Sequence, residues 1–142
     1  MKPVLGTCYY PEQWPEAVWA DDAKKMAELG LSLVRIGEFS WAKLEASPGS
    51  YTWGWLDRAI ETLGDQGLKV VLGTPSATPP RWMIDKYPNM LAYDADGNPR
   101  KYGSRRHYCF SHAAYRAEAA RMAAKMAERY ADNEYILSLI HI

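Results

Sequence analysis

The chain alternates between two patterns of apolar residues. One is a short run dense in apolar residues, and the other is a stripe of apolar residues at helical spacing. The runs lie at residues 4–10, 31–36, 68–73 and 135–142 and predict four strands. The second run is dense enough in Leu, Val and Ile for burial on both faces, as strands of parallel sheets are. Strands that alternate with helices predict a parallel sheet with right-handed crossovers.

Three apolar stripes predict helices between these strands. The first stripe follows Pro15, which suits a first helical position, and ends at Gly30, which suits a C-terminal cap. The second ends before Gly67, and we expect Ser111 to cap the third. The stripes consist of Trp19, Ala23, Met26 and Ala27; of Leu56, Ala59, Ile60 and Leu63; and of Tyr115, Ala119, Met122, Met126 and Tyr130.

Two segments lack both periods. Residues 49–53 predict a turn. The segment between the third strand and the third helix is rich in Pro, Gly and charge, and its Asp-Gly at residues 96–97 predicts a small hairpin that begins at Tyr93. The chain as a whole predicts one α/β domain over residues 1–142 with about four βα units, which is the N-terminal half of a (β/α)8 TIM barrel.

Composition narrows the classes of function. The 17 basic and 17 acidic side chains among 142 residues leave no net charge, so there is no electrostatic basis for binding nucleic acid or an anionic membrane. No apolar run approaches transmembrane length, and no signal-peptide core precedes the first strand. Two cysteines are too few for a disulfide framework, so we expect reduced thiols and a cytoplasmic protein. The 6 Trp and 10 Tyr supply flat faces with a polar handle that suit sugar rings, although a large aromatic core would explain them equally.

Charged and aromatic residues follow the second predicted strand. Arg35 and Glu38 fall where this strand emerges, and Trp41 comes three residues later. In a (β/α) barrel the C-terminal ends of the strands form the floor of the active site. The segment therefore predicts a functional role, with an Arg35–Glu38 ion pair that caps the strand as the alternative.

Five motifs follow one another in order: Gly6-Thr-Cys-Tyr-Tyr-Pro-Glu-Gln-Trp14, Val34-Arg-Ile-Gly-Glu-Phe-Ser-Trp41, Tyr51-Thr-Trp-Gly-Trp-Leu-Asp57, Gly73-Thr-Pro-Ser-Ala-Thr-Pro-Pro-Arg-Trp82 and Arg105-Arg-His-Tyr-Cys109. Together they closely resemble the N-terminal part of the glycoside hydrolase family 42 β-galactosidases, over residues 4–136. The resemblance implies a (β/α)8 catalytic domain and retaining hydrolysis of terminal β-D-galactosides. It also implies a chemistry that needs no cofactor, and a homotrimer for the full-length protein.

Retaining hydrolysis uses two carboxyl groups about 5–5.5 Å apart. In the family the acid/base is the Glu of an Asn-Glu pair after the fourth strand, and the nucleophile follows the seventh. The resemblance therefore puts both beyond the last residue of this chain, and we expect no catalytic residue within it and no hydrolysis by it alone. Asn133-Glu134 precedes the fourth strand and predicts a turn. We expect Glu12 and Glu38 to pack or hydrogen-bond in the pocket floor, together with Trp41.

The resemblance also assigns binding residues. Arg105 matches an arginine that contacts galactose hydroxyls, where the residues alone would predict a surface arginine, and Arg35 matches a pocket arginine. Cys109 matches the first of four cysteines that hold a structural zinc in some members, the other three of which would lie beyond the chain. A makeshift site of Cys109 with His107 and His112 is the weaker alternative. Cys8 is predicted to be a buried small residue.

Two other interpretations stay open. One is a stand-alone sugar-binding module without catalysis, and the other is a half-barrel that self-associates. A binding module should have a finished edge or a capping helix after the fourth strand, and the sequence shows neither. Residues 137–142 also lack the Gly-Trp-Gln that the family has at this point, which favours a truncated or spliced reading frame of an enzyme.

Overall fold

The structure is a computed structural model that describes residues 4–104 and 106–140. Within these residues the chain forms two compact units, the first made of residues 4–37, 53–73 and 130–140 and the second of residues 38–52 and 74–129. In chain order the elements are β1 (Gly6–Cys8), α1 (Trp19–Glu28), β2 (Leu33–Ile36), α2 (Trp41–Leu44), β3 (Glu45–Ser47), β4 (Ser50–Tyr51), α3 (Gly54–Asp65), β5 (Lys69–Gly73), α4 (Arg81–Lys86), α5 (Ala113–Tyr130) and β6 (Ile136–Ile140).

The first unit is built on a four-stranded sheet in the order β1-β2-β5-β6, with every pair parallel. This confirms the four predicted strands, and the first three are shorter than their apolar runs. Helix α1 packs on α3, and α3 packs on β5. The predicted stripe of α3 is buried, and so is that of α1 except for Ala27, which is half-buried. Gly30 after α1 has φ +82°, a left-handed conformation that glycine adopts without strain. Helix α1 begins only at Trp19, because a 3-10 turn over Glu16–Val18 follows Pro15.

The two faces of the sheet differ in burial. Val34 and Ile36 of β2 and Leu72 of β5 are fully buried. The side chains that alternate with them are half-buried or exposed, and the strand register brings Cys8, Arg35 and Val71 side by side on this second face. Burial on both faces, as predicted for the second strand, is therefore wrong for the described residues, since Leu33 and Arg35 on one face are only half-buried.

The outer strands of the sheet are accessible. Among the described residues β1 pairs only with β2, and β6 pairs only with β5. Cys8 is exposed, so its prediction as a buried residue is wrong, because β1 is an edge strand whose second side makes no ladder. At the opposite edge Leu137 is 61% exposed.

The second unit consists of the segments that follow the C-terminal ends of β2 and β5, together with α5. The predicted turn at residues 49–53 is part of a small antiparallel hairpin, because β4 pairs with β3. The bridge between Tyr93 and Pro99 confirms the predicted second hairpin. Helix α5 begins at Ala113, so Ser111 is not its cap: the bond from His112 N to Cys109 O, 3.1 Å long, closes a turn that contains Ser111.

Candidate active-site loops

The second unit has a buried carboxylate at its centre. Glu45 is 0% exposed, and its carboxylate accepts hydrogen bonds from Trp41 Nε1 at 2.9 Å and from the backbone N–H of Gly49 at 2.7 Å. Arg121 of α5 donates through Nη2 to both carboxylate oxygens, at 2.8 and 2.9 Å. The backbone oxygen of Glu45 accepts from Trp82 Nε1 at 3.0 Å. Glu45 therefore fixes the indole rings of Trp41 and Trp82 and, through Gly49, the tip of the β3–β4 hairpin.

Arg121 ties the hairpin to helix α5. Its guanidinium also donates to Tyr51 Oη, and through Nε to Glu118 Oε2 at 2.7 Å. Burial is the largest influence on its pKa and lowers it, but the hydrogen bonds to Glu45 and Glu118 outweigh burial and raise the pKa of Arg121 above its ordinary value. The arginine is permanently charged, so Glu45 has a fixed counterion inside the unit.

The same helix holds the loop after β5. Tyr115 donates from its hydroxyl to the backbone oxygen of Ser76 at 3.1 Å, and its ring stacks on Tyr108 with the centroids 4.0 Å apart. Burial raises the pKa of Tyr115 well above its ordinary value, so this hydroxyl stays protonated and remains a donor. Helix α5 thus fastens both segments that follow strand ends, and these are the loops that carry the active site in a (β/α) barrel.

The predicted galactose-binding Arg105 lies outside the described residues. Its neighbours are constrained: Arg106 has φ +58°, an uncommon left-handed conformation for a residue with a Cβ, and His107 is 1% exposed. His107 Nδ1 lies 2.6 Å from the backbone oxygen of Ser104, and since a carbonyl can only accept, Nδ1 carries the proton. Within residues 4–104 and 106–140, His107 Nε2 has no hydrogen-bond partner although it is buried.

The other predicted site residues divide between the two units. In the first unit Arg35 lies on β2, half-buried, on the less buried face of the sheet, and its backbone oxygen accepts from Tyr9 N at 2.9 Å. Glu12 belongs to a 3-10 turn after β1, and its carboxylate oxygens are shielded from solvent. In the second unit Glu38 is 2% exposed and Trp41 is 0% exposed. Both are buried residues, as a packing role in the floor of a pocket requires.

The described residues do not complete a metal site by themselves. Cys109 has a free, half-buried thiol, and His107 and His112 are close to it in the sequence. Yet no three His, Cys, Asp or Glu side chains in the described part of the chain converge as metal ligands. A closed zinc site needs four such ligands, so these residues alone do not form one.

Asn133-Glu134 is a turn, as predicted. The side-chain oxygen of Asn133 accepts from Tyr135 N at 3.0 Å, and its backbone oxygen accepts from Ile136 N at 3.1 Å. This turn leads into β6, so Glu134 lies at the N-terminal end of the strand. A barrel places its catalytic groups at the opposite end.

A groove on the second unit has a volume of about 620 Å³. Its walls include the exposed rings of Tyr93 and Phe110 and the side chains of Arg100, Arg106 and His112.

Sequence reasoning missed this groove and also the Glu45–Arg121 pair. The acidic and basic side chains of Glu118 and Arg121, three residues apart on a predicted helix, were a signal for an ion pair, but nothing along the sequence indicated that Glu45 would join them.

Known proteins resemble this chain over nearly its whole length. The family of glycoside hydrolase 42, described as β-galactosidase, matches residues 8–142. The β-galactosidase BgaA of Thermus sp. is 56% identical over 93% of this chain, and the β-galactosidase Bga of Halorubrum lacusprofundi is 50% identical over 93%. The crystal structure of the β-galactosidase from the psychrophilic Marinomonas ef1 superposes with a TM-score of 0.94 at 50% identity over 98% of this chain.

This chain corresponds to a small part of each of those proteins. It spans 22% of the Thermus sp. protein, 19% of the Halorubrum lacusprofundi protein and 21% of the Marinomonas ef1 chain. The solved relatives are TIM-barrel enzymes, and the matching region is the N-terminal portion. The predicted fold class, half of a (β/α)8 barrel, is confirmed. No helix in residues 4–104 or 106–140 is both long and apolar enough to cross a membrane.

Proposed function

Because this chain belongs to glycoside hydrolase family 42, we propose that it forms the N-terminal half of the catalytic barrel of a retaining β-galactosidase that hydrolyses terminal β-D-galactosides. The observation that carries the proposal is the match to β-galactosidases over nearly the whole chain, at 56% identity in sequence and a TM-score of 0.94 in structure. The substrate and the reaction belong to the full-length protein.

In this proposal the chain supplies the binding side of the active site. Arg35 is half-buried on β2, and its planar guanidinium suits two parallel hydrogen bonds to neighbouring oxygens of a sugar or a carboxylate. Arg105 donates to the galactose hydroxyls. The acid/base and nucleophilic carboxylates, which must face each other about 5–5.5 Å apart, come from elsewhere in the barrel. Glu38 and Trp41 form the floor and do not react.

The remaining properties concern the full-length protein. We propose a cytoplasmic homotrimer whose chemistry needs no cofactor. Cys109 would be one ligand of a structural zinc, with its other ligands outside the described residues, and that zinc would take no part in the reaction.

The test is an assay of the purified 142-residue chain with a nitrophenyl β-galactoside. We expect no turnover above buffer, because a covalent glycosyl-enzyme cannot form without the nucleophile. The control is the Glu12→Gln, Glu38→Gln double variant, which should behave in the same way. Turnover by the parent chain that this variant loses would contradict our assignment of the catalytic carboxylates.

A further inference from the structure

The groove of the second unit has the size of a small-molecule site. Its volume of about 620 Å³ lies within the range of roughly 300–1,000 Å³ that is typical of ligand pockets. Backbone hydrogen bonds brace it on two sides: Ala92 N donates to His107 O at 2.9 Å, and Cys109 N donates to Met90 O at 2.7 Å. The walls therefore belong to a hydrogen-bonded frame.

Positive charge is concentrated around this groove. Residues 97–117 contain five basic residues and no acidic one, although the chain as a whole has 17 of each kind. Arg100 and Arg106 both line the groove, and no aspartate or glutamate is among the described residues that do so. A region of one sign in a chain without net charge favours a ligand of the opposite sign.

The two arginines of the groove have unused hydrogen-bond donors. Arg100 Nη1 donates to the backbone oxygen of Arg106 at 3.4 Å, which leaves most of the N–H groups of its guanidinium available. Within residues 4–104 and 106–140 neither guanidinium pairs with a carboxylate. A planar guanidinium with unused N–H groups suits paired hydrogen bonds to the oxygens of a phosphate or a carboxylate.

Two further polar groups favour phosphate over carboxylate. His112 Nδ1 is buried and has no hydrogen-bond partner in the described part of the chain, and Ser111, which carries a hydroxyl, also lines the groove. A single guanidinium can satisfy both oxygens of a carboxylate, whereas a phosphate monoester has three terminal oxygens and a larger negative charge. The number of donors on the walls therefore suits a phosphate better.

Exposed aromatic rings lie in the same groove. Tyr93 is 64% exposed and Phe110 is 56% exposed. The ring of Phe110 packs edge-on against the buried Tyr108, with the centroids 5.2 Å apart, and the bridge to Pro99 holds the backbone of Tyr93. Flat apolar faces that are held in this way suit the C–H face of a sugar ring that carries the phosphate.

We propose that this groove binds a sugar phosphate. Arg100, Arg106 and His112 donate hydrogen bonds to the phosphate oxygens, and the rings of Tyr93 and Phe110 contact the sugar. The inference goes beyond the proposed function, because a galactoside linked to a neutral sugar or alcohol carries no anionic group. It does not depend on whether the full-length protein hydrolyses galactosides.

The test is equilibrium dialysis of the 142-residue chain against radiolabelled inorganic phosphate, with unlabelled competitors. We expect saturable binding of a single phosphate per chain. Galactose 6-phosphate should displace the label at an about fivefold lower concentration than unlabelled inorganic phosphate does, because the aromatic rings add contacts to the sugar. Galactose and galacturonate, which lack the phosphate group, should displace the label far less.

Variants separate the two parts of the groove. Arg100→Gln and Arg106→Gln should each raise the dissociation constant of inorganic phosphate about fivefold, because each removes charge-assisted hydrogen bonds. The matched control is Arg116→Gln, which removes an exposed arginine of the same basic segment that is not among the lining residues and should change nothing. Phe110→Ala should leave the binding of inorganic phosphate unchanged and abolish the advantage of galactose 6-phosphate.

Several results would overturn the inference. One is the absence of saturable phosphate binding, and another is an equal loss of binding in Arg116→Gln, which would indicate nonspecific attraction to positive charge. Displacement by galactose or galacturonate as strong as that by galactose 6-phosphate would make the groove a site for neutral sugars or carboxylates. Normal phosphate binding by both groove arginine variants, or an unchanged advantage of galactose 6-phosphate in Phe110→Ala, would equally contradict it.

Circular dichroism establishes that each variant is folded, and the two arginine variants guard against misfolding of one. No result of this dialysis bears on the galactosidase proposal, which the turnover of a hybrid enzyme tests separately.

Discussion

Removing the guanidinium of Arg121 should lower the stability of the chain more than breaking any one of the exposed ion pairs. The substitution Arg121→Met keeps the length and apolar stem of the side chain but leaves Glu45, which is 0% exposed, without its cation. Breaking a buried pair from one side costs about 3–5 kcal/mol. Glu45 retains the bonds from Trp41 and Gly49, and Arg121 is itself 33% exposed, so we expect the low end, about 3 kcal/mol.

The assay is urea unfolding, followed by circular dichroism and by tryptophan fluorescence. Native domains are stable by only about 5–15 kcal/mol, so such a loss should strongly lower the urea concentration at the midpoint of unfolding. Lys125→Met is the matched control: it lies on the same helix and breaks an exposed pair with Glu128, so it should leave the midpoint of urea unfolding nearly unchanged.

A double variant tests the cause. Glu45→Gln in the Arg121→Met background removes the buried charge, so the double variant should be more stable than the sum of the two single losses predicts. If Arg121→Met costs less than about 1 kcal/mol, or if the two substitutions are additive, then the ion pair does not organise the second unit and our account of the loops is wrong.

Two further predictions concern the first unit. A Cβ at Gly64 would overlap the ring of Tyr135, so Gly64→Ala should cost about 1–3 kcal/mol in urea unfolding. Gly54→Ala on the same helix, where the Cβ would meet Arg58 Nη1 at 3.4 Å, should be neutral or stabilising, and equal effects of the two substitutions would contradict the packing. Among the described residues β1 and β6 each pair on one side only, so the isolated chain should self-associate in size-exclusion chromatography at micromolar concentration. Leu137→Lys, which charges an exposed edge position, should shift it towards monomer. A monodisperse monomer for the parent chain would show that these edges are protected.

The regular elements could be predicted from the sequence because burial imposes a period on it. The stripe of α3, at Leu56, Ala59, Ile60 and Leu63, is buried as expected, and so are Val70 and Leu72 of β5. The periodic pattern of apolar residues did not predict burial correctly where burial depends on partners distant in the chain. Cys8 looked like a core residue from its apolar neighbours, yet it is exposed because β1 is an edge strand.

The candidate site was only partly predictable for the same reason. Glu38 and Trp41 were expected in a pocket floor because they follow a strand end; both are buried, and their place in a pocket stays a prediction. The Glu45–Arg121 pair could not be found, since its two residues lie 76 positions apart and each resembles an ordinary surface charge along the sequence. The groove next to Arg106 was missed because Tyr93 and Phe110 show no periodic pattern, and only the backbone bonds between their segments bring them to one surface.

A hybrid enzyme tests the central claim most directly. Residues 4–136 of this chain would replace the matching segment of the 56% identical β-galactosidase BgaA of Thermus sp., and kcat/KM would be measured with a nitrophenyl β-galactoside. If these residues form the binding half of a β-galactosidase barrel, the hybrid should be active within about tenfold of its parent. Arg105→Ala should lower kcat/KM at least about tenfold, or roughly 1.4 kcal/mol in transition-state binding, while Arg116→Ala, an exposed arginine on α5, should not. A folded hybrid without activity, or one indifferent to Arg105→Ala, would contradict the account.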